Sequence, residues 1–417
     1  MKVLYLNPDR GIPVLGDKGA SVHVREFVTA LSGLGHEVAL VCANLGADNA
    51  PPPASVIELP PDADAADLLS ECARLGLAPS ALADIVTRRE VGRLAYDRVF
   101  SARVMDALDA IGFRPDLIYE RYALFHAQGA ALAARLGVPR LLEVNAPLVH
   151  EQERFRGLAL KAVAVATERA SFHGANTIVA VSEEVAAYVR STGVPQRDIL
   201  VLPNGVDTSR FHPGAGGVAV RARFGFGDAP VIGFVGSFKP WHGVHFLIDA
   251  FEGVARRRDD ARLLCVGEGP ELASARSKVA SLGLEDHVVF AGRAPHADIP
   301  AYLAAMDICT APYLPTSDFY FSPMKVVEAL AAGVPVVATR IGQLPALVED
   351  GVTGLLFTPG DTADFSARLL DLLDDETRRR AMGLAARERA LADFSWLQAV
   401  ERAMDRGQRL IDVRRAA

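Results

Sequence analysis

The residues whose types and spacing are best suited to chemistry lie in Ser322-Pro-Met-Lys-Val-Val-Glu328, followed by Ala-Leu-Ala-Ala-Gly333-Val-Pro335 and the apolar run Val336 to Ala338. The pattern predicts a helix that faces an anion. Ser322 suits an N-cap and Pro323 the first helical position. The amides of Met324 and Lys325 then lack acceptors within the helix and point out of its end. That end carries partial positive charge, which favours phosphate. Lys325 and Glu328 are three apart and share a face. Met324, Val327 and Ala331 form the expected buried stripe. Gly333 ends the helix, and the next strand begins at Val336. A cation and a carboxylate at such a crossover could grip the two ends of a nucleoside diphosphate.

A second loop, Phe234-Val-Gly-Ser-Phe-Lys-Pro-Trp-His-Gly-Val-His245, follows a strand and precedes a helix. Gly236 permits close backbone approach. Ser237, Lys239 and His242 offer polar groups at the strand's carboxyl end. The reading is a diphosphate or sugar contact, against an ordinary connecting loop with a structural Trp241. Gly267 and Glu268, in Val266-Gly-Glu-Gly-Pro270, admit a ligand or make a tight turn. Arg293 could flank a base or lie on the surface. Nearer the N-terminus, Gly19-Ala-Ser21 opens a helix carrying His23. Glu120 and Arg121, in Tyr119-Glu-Arg-Tyr122, and Glu143 and Asn145 lie at strand ends, where they could recognise hydroxyls. His126 is expected one helical turn further on. His242 and His245 have no third ligand at useful spacing, so no metal site is expected.

These residues need a scaffold that gathers loops at strand ends. Apolar runs at Val3 to Leu6, Val38 to Val41, Val56 to Leu59, Leu117 to Tyr119, Leu141 to Val144, Thr177 to Val181 and Ile199 to Leu202 alternate with helical patterns. After Pro203-Asn-Gly-Val-Asp207 a second series runs through Val231 to Val235, Leu263 to Val266, Val288 to Ala291, Ile308 to Ala311, Val336 to Ala338 and Leu355 to Phe357. Such alternation predicts α/β architecture with parallel, doubly wound sheets. In these sheets ligands bind beyond the carboxyl ends of the strands. Residues 46 to 86, rich in proline and acid, read as a loop with one or two helices. Two domains are expected in 417 residues, half of them hydrophobic.

The net charge of −7 argues against nucleic acid as a partner. Arg88, Arg89, Arg93, Arg98 and Arg103 read as a solvated helix face, with contact to anionic lipid as the alternative. Four scattered cysteines read as reduced core thiols. No segment of signal-peptide or membrane-spanning length is seen, so a cytoplasmic protein is expected, with the inner membrane surface as an alternative location. Gly-x-Ser-x-Gly, P-loop and Gly-x-Gly-x-x-Gly motifs are absent, which removes support from hydrolase, P-loop ATPase and standard dinucleotide readings.

The chain resembles the family-4 glycosyltransferases of the GT-B fold over nearly its full length. The resemblance rests on the glycine-rich first loop, Gly35-His-Glu-Val38, Leu202-Pro-Asn-Gly-Val-Asp207, Phe234-Val-Gly236, Val266-Gly-Glu-Gly-Pro270, and Glu328 with Gly333-Val-Pro335-Val-Val. It implies two Rossmann-like domains facing each other across a cleft. Residues 1–205, with a crossover helix at about 395–417, form the acceptor domain, and 206–394 form the nucleotide-sugar domain. It also implies retention of anomeric configuration, no metal and no cofactor beyond the sugar nucleotide. Glu328 matches the second glutamate of the family's Glu-x7-Glu, the partner of the ribose. The first falls on Tyr320, in a Phe321-Ser-Pro-Met-Lys325 variant of the loop. The family's Arg and Lys near the diphosphate fall on Ser237 and His242, so Lys239 and Lys325 are expected to supply that charge.

The expected reaction moves a hexose-type sugar from a UDP- or GDP-linked donor to a hydroxyl of a carbohydrate, lipid-linked or small-molecule acceptor. Glu328, Lys325, Lys239 and His126 are the expected catalytic residues. Gly19, Gly236, Ser237, Lys239, His242, Gly267, Glu268, Arg293 and Tyr320 to Lys325, with Glu328, are expected to hold the donor. His23, Glu120, Arg121, Glu143 and Asn145 are expected to hold the acceptor. Another GT-B activity, epimerase or hydrolase, and a non-catalytic binding partner are the alternatives.

Overall fold

The computed structural model describes residues 1–47, 52–315, 319–320 and 322–416. It separates into two compact units, Met1–Pro203 with Trp396–Ala417, and Asn204–Ser395. The first unit holds β1 (Lys2–Asn7), β2 (Glu37–Cys42), β3 (Ser55–Glu58), β4 (Leu117–Arg121), β5 (Arg140–Val144), β6 (Thr177–Ala180) and β7 (Ile199–Val201). They form one sheet in the order β3-β2-β1-β4-β5-β6-β7. The second unit holds β8 (Val231–Val235), β9 (Arg262–Val266), β10 (Val288–Gly292), β11 (Ile308–Ala311), β12 (Val336–Thr339) and β13 (Gly354–Phe357), in the order β10-β9-β8-β11-β12-β13. Every pairing is parallel. In both sheets the order reverses beside the first strand, which opens a crevice at its carboxyl end.

The apolar runs are continuous because both faces of each sheet are covered. In the second unit the residues of β8 alternate between two cores. Val231 and Val235 pack with Leu264 and Val327, while Ile232 and Phe234 pack with Leu247, Phe251 and Leu263. In the first unit Leu4, Leu6, Val41 and Ile118 pack against Phe100, Val104 and Leu108 of the helix Ile85–Ala110. Each fully buried side chain of this size contributes about 1.5–3 kcal/mol.

On that 26-residue helix Arg88, Arg89 and Arg98 are exposed, as the solvated-face reading expects, and Arg93 and Arg103 are half-buried. Arg98 pairs with the buried Glu71, and Arg103 reaches Asp62 at 2.8 Å. Covered sheet faces also force polar strand residues to find partners inside. Glu120 on β4 and Arg140 on β5 are wholly buried, with Nε to Oε2 at 2.7 Å. Arg140 also donates to the carbonyl and hydroxyl of Ser171, at 2.9 and 3.0 Å. Glu120, expected to meet acceptor hydroxyls, is therefore an interior residue: it lies within the strand, short of its end.

Removing one partner of a buried pair leaves the other charge unpaired. Arg140→Met should lower the stability of the first unit by roughly 3–5 kcal/mol. Chemical denaturation followed by circular dichroism should show an earlier transition, partly restored by adding Glu120→Gln.

Candidate active site

In the second unit three loops are tied together beyond the ends of β8, β9 and β10. The Gly236 amide donates to the Val266 carbonyl at 2.9 Å, Phe238 to Glu268 at 2.9 Å, and Gly267 to Gly292 at 2.8 Å. Gly267 has φ 135°, and a Cβ there would sit 1.9 Å from the Gly236 carbonyl oxygen. Gly267 thus packs loop on loop. Glu268 and Arg293 lie exposed on this rim. Gly236, with φ 149°, is different: its Cβ would stand 2.6 Å from Lys325 Nζ. Any side chain at Gly236 would occupy the space beside the ammonium.

The helix behind this loop runs Met324–Ala331. Pro323 occupies the N-cap position and no side chain caps the helix. Ser322 is not the cap expected from its type. Its hydroxyl accepts from the Asn204 amide at 3.1 Å, and its carbonyl accepts from Asn204 Nδ2 at 2.8 Å. That contact with a distant residue draws the hydroxyl away from the helix end, leaving the first amides of the helix uncapped. Met324 is half-buried, and the covered face is instead Val326 through Ala331.

Lys325 Nζ is buried and has no hydrogen-bond partner among the described residues. It lies 4.3 Å from the centre of the Phe234 ring and 5.0 Å from that of Tyr313. Burial lowers its pKa to about 8, against the opposing pull of Cys309 and Glu328. His242 sits in the same loop system. Its Nδ1 contacts the carbonyl of Ser237 and lies 3.3 Å from the Ser237 hydroxyl. Burial, then the Lys325 charge, lower its pKa to about 3, so the ring is neutral at pH 7. Lys239 is exposed, 5.0 Å from the Trp241 ring. Glu328 is buried and meets His296 Nε2 at 2.8 Å. Tyr320 is buried too, and Phe321 lies outside the described residues. Gly236, Ser237, His242 and Lys325 are thus brought together. His296 was missed by sequence reasoning, although it follows β10 within four residues. The ring pair Phe234 and Tyr313 was missed because its role depends on what lies above it.

In the first unit Glu143 is the hub. It is buried, and accepts from Tyr119 at 2.7 Å, from Arg121 at 2.9 Å and from Asn145, with His23 Nε2 at 2.9 Å. Burial alone would raise its pKa, but His23, Arg121 and Asn145 outweigh it and hold the carboxyl down at about 2. The Trp396 ring meets His23 edge-on, centres 4.9 Å apart. Arg121 and Glu143, expected as hydroxyl contacts, neutralise each other in the interior, whereas Asn145 is half-buried. Gly19 is exposed at the start of the helix Gly19–Gly33, which carries His23.

His126 is not on a helix. It follows Phe125, whose φ of 65° is the one positive value outside glycine among the described residues. Its Nδ1 lies 2.8 Å from Asp97 and its Nε2 3.6 Å from Glu120. It belongs to the first unit, whereas Lys239, Lys325 and Glu328 belong to the second. Among the described residues no group of three or more His, Cys, Asp or Glu side chains is placed to hold a metal. No helix among them is long and apolar enough to cross a membrane.

Comparison with known proteins adds the following. Residues 18–210 match the family described as Glycosyltransferase Family 4, and residues 229–375 match Glycosyl transferases group 1. A GDP-mannose-dependent alpha-(1-6)-phosphatidylinositol monomannoside mannosyltransferase from Mycolicibacterium smegmatis is 34% identical over 269 residues, 64% of this chain and 69% of that one. A 2-deoxystreptamine glucosyltransferase from Streptomyces kanamyceticus is 33% identical over 233 residues, 55% of this chain and 59% of that one. Among solved structures, Anabaena HepE in complex with UDP superposes with a TM-score of 0.71 at 20% identity, covering 98% of this chain and all 100% of that one. Sucrose-phosphate synthase from Thermosynechococcus elongatus gives 0.72 at 22% identity, covering 99% and 100%. The structural likeness shows the GT-B fold.

The depressed pKa of Glu143 sets a sign for acid stability. The unfolded carboxyl titrates near ~4.3, so the hub's contribution is complete above that pH and is lost as pH falls towards 2. Glu143→Gln should flatten the stability of the first unit across that window, with roughly one proton fewer taken up on unfolding. Acid titration of Trp396 fluorescence in a Trp241→Phe background reads it. An unchanged acid limb would show that the hub does not govern acid stability.

Proposed function

Because this chain belongs to glycosyltransferase family 4 and is a hexosyltransferase, we propose that it moves a hexose from a GDP- or UDP-linked donor to an acceptor hydroxyl, with retention and without a metal. GDP-mannose is the first donor to test, since the mannosyltransferase relative uses it. The observation that carries the reading is the buried ammonium of Lys325, without a partner at an uncapped helix end. A buried, unpaired charge is costly. The two rings beneath it offset part of that cost by cation–π attraction. A diphosphate at the helix end would offset the rest.

The second unit would hold the donor. Helix amides at Met324 and Lys325 and the Lys325 ammonium would meet the diphosphate where Gly236 leaves space, with Lys239 adding charge from the rim. Glu328, held by His296, would accept from the ribose hydroxyls. The bond between the anomeric carbon and the phosphate oxygen breaks as negative charge builds on that phosphate, and fixed cationic groups stabilise the charge. The acceptor oxygen bonds to the anomeric carbon from the same face, and its proton passes to the departing phosphate. The neutral His242 would donate or accept a hydrogen bond at the sugar or phosphate without adding charge. This assignment leaves the diphosphate's countercharge to lysine and helix amides, which is why no metal is invoked.

Calorimetric titration of UDP, GDP, ADP and dTDP, with and without Mg²⁺, tests the donor reading. One diphosphate should bind in either condition, and failure of all four with folded protein would overturn it. Lys325→Ala should weaken the winner roughly 10- to 100-fold, as expected for a hydrogen bond to a charged group worth about 1.5–3 kcal/mol. Affinity should also fall as pH rises through about 8, the point at which the free ammonium loses its proton. Lys325→Met should abolish that pH dependence. A profile unchanged by Lys325→Met would remove Lys325 from the site.

A further inference from the structure

The segment 204–211 is fastened to both ends of the helix Met324–Ala331. At the start, Asn204 makes two bonds to Ser322. Its amide donates to the hydroxyl at 3.1 Å, and its Nδ2 donates to the carbonyl at 2.8 Å. At the far end, Arg387 Nη1 donates to the carbonyls of Phe211 and Ala331, at 2.6 and 2.7 Å, and Nη2 donates to that of Thr208 at 2.9 Å. Between these points the Val206 amide donates to the Phe394 carbonyl at 2.8 Å. Val206 and Phe211 are buried in the same core as Val326, Val327 and Ala331. Contacts other than its own therefore fix the segment that carries Asn204, and Ser322 is held where Asn204 puts it.

Local preference favours a different start for this helix. Ser322 is a good cap, and proline is favoured at the first helical position. In that arrangement the Ser322 hydroxyl accepts from the amide of Met324 or Lys325. The structure has Pro323 at the N-cap position instead, with φ −78° and ψ 105° and no side-chain cap. That φ already suits a helix, since the proline ring fixes it. Only ψ separates the observed start from the one the local sequence prefers. Two bonds from Asn204 hold the chain against that rotation. The end they keep open is the one beside the buried Lys325 ammonium, which has no hydrogen-bond partner among the described residues.

We propose that Asn204 is a positioning residue of the donor site. It holds the Ser322 hydroxyl off the helix end, so that the amides of Met324 and Lys325 stay open to the diphosphate. Without Asn204, Ser322 caps the helix and competes with the ligand for those two donors. The proposal rests on the donor reading above and names the residue that keeps that site open.

A double-mutant cycle of Asn204→Ala and Ser322→Ala tests it. The ligand is whichever of UDP, GDP, ADP and dTDP binds the unmodified chain most tightly by calorimetry. Asn204→Ala should weaken that diphosphate roughly fivefold, the equilibrium equivalent of a typical N-cap hydroxyl. Adding Ser322→Ala should regain most of the loss, because alanine is a poor cap. Ser322→Ala alone completes the cycle. A purely structural role for Asn204 predicts no regain. Backbone hydrogen exchange of the Met324 and Lys325 amides, followed by NMR without nucleotide, gives a second readout. Both should exchange fast in the unmodified chain, one should become protected in Asn204→Ala, and the protection should vanish in the double variant. Full affinity in Asn204→Ala, a loss that Ser322→Ala does not relieve, or unchanged exchange would each overturn the proposal. Failure of all four diphosphates to bind the unmodified chain would overturn the donor reading, while the exchange cycle, which needs no ligand, still decides whether Asn204 keeps the helix end open. Should Asn204→Ala not fold, Asn204→Leu takes its place in both measurements, since it keeps similar bulk and lacks the side-chain donor.

Discussion

Each unit of this chain is a parallel sheet covered on both faces, and that cover decides where charge is allowed to stay free. A carboxylate or guanidinium on a strand projects into a helix layer without water, so it must be neutralised there. Glu120 with Arg140, and Glu143 with Arg121 and His23, obey this constraint completely. Beyond the carboxyl ends of the strands the constraint relaxes, because loops leave the layers. Lys325, whose ammonium has no hydrogen-bond partner among the described residues, lies on a helix rather than on a strand. The distinction between residues that hold the fold and residues proposed to meet a ligand follows from this geometry.

In the second unit the constraint also bears on where the proposed site keeps its cation. The resemblance puts Ser237 and His242 where the family carries arginine and lysine. Here His242 is kept neutral by burial and by the Lys325 charge, so the loop contributes shape and hydrogen bonding while the helix contributes the charge. The exchange needs Gly236. With any larger residue the ammonium would lose its space beside the loop. The ring pair Phe234 and Tyr313 completes the arrangement, since it stabilises a cation that has no counterion. The four groups form one device, and a change in one alters what the others can do.

The architecture was legible because parallel strands covered on both faces give unbroken apolar runs, and the thirteen runs read from sequence correspond to β1 through β13. The helix Met324–Ala331 was legible from Pro323, Lys325 and Glu328 by local rules alone. The cap was not. Ser322 fits every local preference for that role, yet a hydrogen bond from Asn204, 118 residues away, takes its hydroxyl. The same distance effect hid the pairs Glu120–Arg140 and His296–Glu328, 20 and 32 residues apart. Glu120 and Arg121 read as strand-end residues open to a ligand because the apolar run stops at Tyr119, and two more residues of strand placed them inside. The helix of arginines read as a single solvated face because the acids that pair with Arg98 and Arg103 come from the irregular segment before it.

The proposed donor site must answer a charge that changes during reaction, and its construction suits that demand. A leaving diphosphate gains charge during reaction, so its partner is most effective when it is dry and fixed. One ammonium buried against two rings at a helix end meets that need, and burial strengthens its field by lowering the local dielectric. Moving the buried ammonium to the exposed rim would weaken stabilisation of the developing charge, because water would screen it.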